Sequence, residues 1–107
     1  MKEKFLEIPL NKNEQNTRFE LHVDGYMAFI DYREFSTKIA LIHTHADPEL
    51  AGSGAAAALV EKTLVWVKQS GLKLLPYCPY VFAYLRKHPE WIDIVDKKFE
   101  KYAELVA

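Results

Sequence analysis

The chain has a single cysteine, four glycines and no run of lysine or arginine. One cysteine cannot make an internal disulfide, which fits a reducing, cytoplasmic setting. Lysine and arginine are balanced by aspartate and glutamate to a net charge of −1. Sequence-independent binding to nucleic acid needs a concentrated basic face, so it is not expected here. No apolar stretch approaches the ~20 residues that a membrane-spanning helix needs, and Met1-Lys2-Glu3-Lys4-Phe5 has no signal-peptide core. Half of the residues are hydrophobic and 27% are charged, a globular composition. The expectation is one domain over residues 1–107, a monomer or weak dimer that engages no membrane.

Local patterning predicts a mixed α/β (α+β) fold. A short edge strand is expected over Phe5–Pro9, followed by a polar turn at residues 11–17. Phe19, Leu21 and Val23 alternate with Arg18, Glu20 and His22, the period of a half-buried strand. Asp24-Gly25 marks a tight hairpin into a second strand, Tyr26–Tyr32, and Glu34–Lys38 turns into a third, Ile39–Thr44. This is an antiparallel meander. A helix from about Gly54 to Ser70 should bury Ala56, Val60, Leu64 and Val67 and end at Gly71. Leu72–Leu75 then reads as a buried strand, parallel to Ile39–Thr44 through a right-handed crossover. Pro79 opens a further helix that stops at Pro89, and a last helix is expected from about Asp96 to Val106.

The chemistry concentrates between the third strand and the first long helix, in Glu49-Leu50-Ala51-Gly52-Ser53-Gly54-Ala55-Ala56. Glycines let a backbone approach a ligand closely, and the unbonded N–H groups of a first helical turn favour an anion, with a pyrophosphate as the natural guest. No Gly-Lys-Ser/Thr follows, so this is not a P-loop, and Ala57 replaces the third glycine of the dinucleotide fingerprint. A tight strand-to-helix turn with no ligand is the alternative reading.

Three further stretches accompany this loop in order. They are His43-Thr44 at the strand end, Pro76-Tyr77-Cys78-Pro79, and Tyr84-Leu85-Arg86-Lys87-His88-Pro89. Together with Gly-x-Gly-Ala opening a helix, they resemble the small single-domain members of the GNAT superfamily of N-acetyltransferases over roughly residues 17–92. The resemblance implies a minimal GNAT fold, with an antiparallel meander, a parallel strand after a crossover helix, and helices packed on the sheet. It implies acetyl-CoA as the acetyl donor and a primary amine as the acceptor, either a protein lysine or a small molecule. Ala51, Gly52, Ser53, Gly54, Ala55 and Ala56 would hold the coenzyme A pyrophosphate, and His43-Thr44 would line the acetyl-CoA cleft. Tyr84, four residues before His88-Pro89, matches the tyrosine that protonates the departing thiolate. Larger members carry Gln or Arg three residues before the first loop glycine, and often Arg just before it. Glu49 and Ala51 stand there in this chain, and Asp47 and Glu49 add negative charge beside a polyanion site.

Several residues keep two readings. Cys78 is either an acyl acceptor or cleft residue at an activating helix start, or a small buried hydrophobe. Tyr84 is a general acid or a core aromatic. His88 is a base for the amine or, with Arg86 and Lys87, a phosphate contact, against a histidine that merely complements a helix C-terminus. His43 and His45 share a strand face, but with His22 no third metal ligand is fixed by spacing, and no metal is expected. A coenzyme A-binding module without catalysis, and an interaction domain with a vestigial cleft, remain alternatives to the enzyme.

Overall fold

The computed structural model describes all 107 residues. The elements in chain order are α1 (Glu3–Leu6), β1 (Asn11–Asn13), β2 (Arg18–Val23), β3 (Tyr26–Glu34) and β4 (Lys38–Ala46). They continue with α2 (Ala55–Ser70), β5 (Lys73–Pro76), α3 (Pro79–Lys87) and α4 (Tyr102–Val106), with short 3-10 turns at Pro48–Leu50 and Pro89–Ile94. The sheet runs β1-β2-β3-β4-β5, antiparallel except for the final pair. The meander, the crossover helix and the parallel fifth strand make this the minimal GNAT architecture. None of the helices is long and apolar enough to cross a membrane.

Asp24 and Gly25 carry the β2–β3 hairpin at φ +53° and +83°, the left-handed conformation that a type I′ turn requires. Phe19, Leu21 and Val23 lie on one sheet face and pack with Leu59, Val60, Leu64 and Val67 of α2 in a single core. Within α2 the buried stripe is wider than the pattern suggested. Ala55, Ala58 and Thr63 are buried, while Ala56 is only half-buried. Gly71 closes the helix at φ +80°. His88 adopts φ −130°, ψ 71°, the extended backbone imposed on a residue before proline, and so α3 ends at Lys87.

Three expectations are corrected. The stretch Phe5–Pro9 is no edge strand, because α1 occupies Glu3–Leu6 and drives Phe5 completely into the core. The edge strand is β1, inside the segment read as a polar turn. Its asparagines are satisfied by Glu20, whose carboxylate accepts from Asn11 Nδ2 at 3.1 Å and Asn13 Nδ2 at 3.0 Å. Glu20, placed by alternation on the wet face, is therefore buried, with Arg18 and His22 closing over it. Third, the last helix begins only at Tyr102. Val95 bridges Leu74, and the Asp96 N–H donates to Leu74 O at 2.9 Å, so this stretch extends the edge of β5 before the chain turns. The Asp96 carboxylate is taken by Lys38 Nζ at 2.7 Å and the Lys98 N–H at 2.9 Å.

Burial alone would raise the pKa of Glu20, but donors from Arg18, His22, Asn13 and Asn11 outweigh it and pull the carboxyl down to about 2. A carboxyl depressed in the folded state stabilises the fold fully above its unfolded pKa, and that stability is lost as pH falls through the folded value. Urea unfolding should therefore show stability dropping between pH ~4.5 and ~2, with Glu20 contributing on the order of 3 kcal/mol. Glu20→Gln should lower stability at pH 7 and flatten that acid limb. An acid limb unchanged by the substitution would remove Glu20 as its source.

Candidate coenzyme and acyl-transfer site

The site forms where β4 and β5 part. They pair in parallel over only four positions, ending with Leu41 opposite Pro76. Pro76 has no N–H to extend the ladder. The chain turns there, and the Cys78 N–H donates back to Leu41 O at 2.8 Å. On its other side β4 carries a bulge. Asp31 pairs with His43 and Tyr32 with Leu41, which leaves Ile42 without a partner on β3. Beyond the bulge β4 continues to Ala46 without β5 beside it, and this opens a notch between the two strands.

Thr44 and Cys78 face each other across the notch, with Thr44 Oγ1 and Cys78 Sγ 3.1 Å apart. Thr44 pairs with Ile30, a core residue, and so faces the helices. His43, one residue earlier, projects from the opposite sheet face beside Asp31 and is exposed. The strand end is therefore divided between two faces, and Thr44 alone meets Cys78. Cys78 is 2% exposed and immediately precedes Pro79, the first residue of α3.

The glycine loop leads into α2, with Gly54 capping the helix start. Gly52 and Gly54 take φ +75° and +89°, a conformation that residues with a Cβ rarely adopt. Ser53 ties the loop down, donating through Oγ to Leu50 O at 2.6 Å and accepting from the Ala55 N–H at 3.1 Å. The N–H groups of Gly52, Gly54, Ala56 and Ala57 make no hydrogen bond within the chain. Backbone alternating through left-handed glycines at a helix start presents such N–H groups as an anion cradle. Asp47 does not compete for them, because its carboxylate accepts from the Met27 N–H at 2.8 Å. Glu49 is exposed and Ala51 has no charge to offer.

A cleft of about 380 Å³ connects this loop to α3, lined by Gly54, Ala57, Glu61, Tyr84 and His88 among others. Tyr84 and His88, one helical turn apart, stack with ring centroids 4.2 Å apart. Lys87 lines an adjoining hollow with Ala57 and Tyr84. Arg86 projects elsewhere, into a cavity bordered by Tyr77, Phe82 and Phe99, away from the loop. Desolvation, together with Glu61 and Glu90 nearby, pushes the Tyr84 phenol up to about 12. It therefore keeps its proton throughout the neutral range and is a weaker acid than a free tyrosine.

Two features gave no sequence signal. The Ile42 bulge has no glycine or proline to mark it, and the pairing of Thr44 with Cys78 joins positions 34 residues apart. Comparison with known proteins finds no curated protein that matches the chain. A family model described as GCN5-related N-acetyl-transferase does match, over residues 18–94, from the first residue of β2 to the 3-10 turn after α3. That span contains the notch, the glycine loop and the Gly54, Ala57, Tyr84 and His88 walls of the cleft, and the chain belongs to the GCN5-related N-acetyltransferase family.

Proposed function

We propose that the protein transfers an acetyl group from acetyl-CoA to a primary amine, with the loop at the start of α2 holding the coenzyme's pyrophosphate. The observation that carries this reading is the set of four unbonded N–H groups at Gly52, Gly54, Ala56 and Ala57, displayed by two left-handed glycines on a 16-residue helix. These groups fit a polyanion. They are donors only, they sit at the positive end of the helix dipole, and no carboxylate of the chain bonds to them. Acetyl-CoA would supply the activated acetyl thioester.

The chain's own groups have separable tasks in this reading. Ser53 fixes the loop so that its N–H groups stay exposed to the phosphates. The notch beside Thr44 and Cys78 is the place where a thin acyl-bearing arm passes through the sheet. Tyr84 Oη holds a proton and offers it as a hydrogen bond to an anionic sulfur, while the stacked His88 ring fixes the phenol's orientation. Cys78, deeply buried and in contact with Thr44 Oγ1, serves as a polar neighbour of the reacting centre and not as a nucleophile. The acceptor is a protein lysine, a polyamine or a small metabolite.

A coenzyme A-binding module without catalysis is the second reading. It is favoured by the surroundings of Tyr84, where desolvation and the nearby Glu61 and Glu90 make the phenol a weaker acid. Both readings share the loop. Ala57→Glu tests it cleanly, because a glutamate in the first turn of a helix favours folding while it repels phosphate. Coenzyme A affinity by calorimetry should fall at least tenfold, about 1.4 kcal/mol, with the melting temperature unchanged or raised. Unaltered affinity in the folded variant would remove the loop from the site. Gly54→Val is a poorer test, because φ +89° strains any side chain there.

Turnover with an amine panel separates the two readings and the two chemical routes. Tyr84→Phe keeps the ring and removes one hydrogen bond to a charged group, so turnover should fall roughly ten- to hundredfold with little change in coenzyme affinity. Cys78→Ala should leave turnover near normal, and acetyl-CoA alone should leave the intact mass of the protein unchanged. An acetyl adduct at Cys78 that disappears on adding amine would establish the covalent route instead. No turnover of any amine by the unaltered protein would favour the binding module.

A further inference from the structure

The glycine loop has no cation of its own, yet one reaches it from the far end of the chain. Lys2 Nζ donates to Ser53 O at 2.9 Å, across 51 residues of sequence. Its stem lies along the loop. A Cβ added to Gly54 would stand 3.4 Å from Lys2 Cε, 3.5 Å from Lys2 Cδ and 3.6 Å from Phe5 Cε2. The fully buried Phe5 ring anchors α1, so the segment carrying Lys2 is tied to the core and does not trail in solvent. Met1 and Lys2 form one wall of the cleft whose other walls are Gly54, Ala57, Tyr84 and His88. No carboxylate lies within ion-pair distance of Lys2, so its charge is not neutralised by the chain. An ammonium carries three N–H donors, and Ser53 O engages one of them.

We propose that Lys2 is a phosphate-binding residue of this site, and that the N-terminal turn acts as a strap that lays its ammonium against the coenzyme's phosphates. The inference rests on the loop being the pyrophosphate cradle. It accounts for how a loop preceded by Glu49 and Ala51 can still bind a polyanion: the charge missing from the loop is delivered by α1. Ser53 O and the Gly54 N–H point to opposite sides of one trans peptide, so the ammonium, held beside the loop by Ser53 O, swings on its flexible stem to meet a phosphate on the Gly54 N–H, a charge-assisted contact stronger than a neutral one. The contact lies at the surface, so its strength must fall as salt rises.

The test is coenzyme A binding by calorimetry to protein without an N-terminal tag, at about 50 mM and about 300 mM salt. Lys2→Gln should weaken binding roughly three- to tenfold at low salt, and the deficit should shrink at high salt. Lys2→Arg, which keeps the charge, should bind within about twofold of the unaltered protein. Normal low-salt affinity in Lys2→Gln, with affinity lost in Ala57→Glu, would overturn the role of Lys2 and leave the loop standing. Normal affinity in both would overturn the loop reading itself. An equal deficit at both salt concentrations, or a deficit in Lys2→Arg as large as in Lys2→Gln, would show that Lys2 only props the loop, and would also overturn the proposal.

Discussion

Everything in the candidate site depends on the point at which β4 and β5 stop pairing. A parallel ladder is sustained by regularly spaced N–H donors on both strands, and Pro76 removes one of them at the fourth position. The chain then folds back, with the Cys78 N–H on Leu41 O, and Pro79 starts α3 at once. The bulge at Ile42 separates β4 from the regular register on its other side. Two small irregularities on neighbouring strands thus open one notch, floored by Thr44 and Cys78 at 3.1 Å. Without the notch, the loop at the start of α2 and the aromatic pair on α3 would lie on a closed sheet.

The second constraint is conformational. Gly52 and Gly54 hold positive φ on either side of Ser53, and the Ser53 hydroxyl spends both its bonds inside the loop. What remains for a ligand is backbone: four N–H groups and a helix dipole. Those backbone groups do not depend on side-chain identity, so Glu49 and Ala51 leave them in place. Asp47, which by position adds repulsion, is instead consumed in holding the Met27 N–H on β3.

The meander, the crossover helix and its two glycine ends were legible because each rests on local chemistry. Alternation placed Phe19, Leu21 and Val23; Asp24-Gly25 allowed only a tight turn; Gly71 and Pro89 stopped helices. The errors came from long-range partners. Asn11 and Asn13 look like turn residues until Glu20 is seen accepting from both. Glu20 looks solvated until Arg18 and His22 cover it. Asp96 looks like the start of a helix, but it is held at the edge of β5 by Leu74 O and Lys38. Within the site, local sequence placed the loop and α3 but did not separate His43 from Thr44 by face, or Arg86 from Lys87 by cavity. A family resemblance supplies residue order, whereas the side of the sheet on which a side chain falls is set by register and by one bulge.

The most direct measurement is an amide proton–nitrogen NMR titration with coenzyme A. The account predicts saturating shifts at Gly52, Gly54, Ala56 and Ala57, where the unbonded N–H groups lie, accompanied by changes at Thr44 and Cys78 in the notch. Shifts confined to the cavity around Arg86 and Phe99, or no saturable shift at the glycine loop, would contradict it.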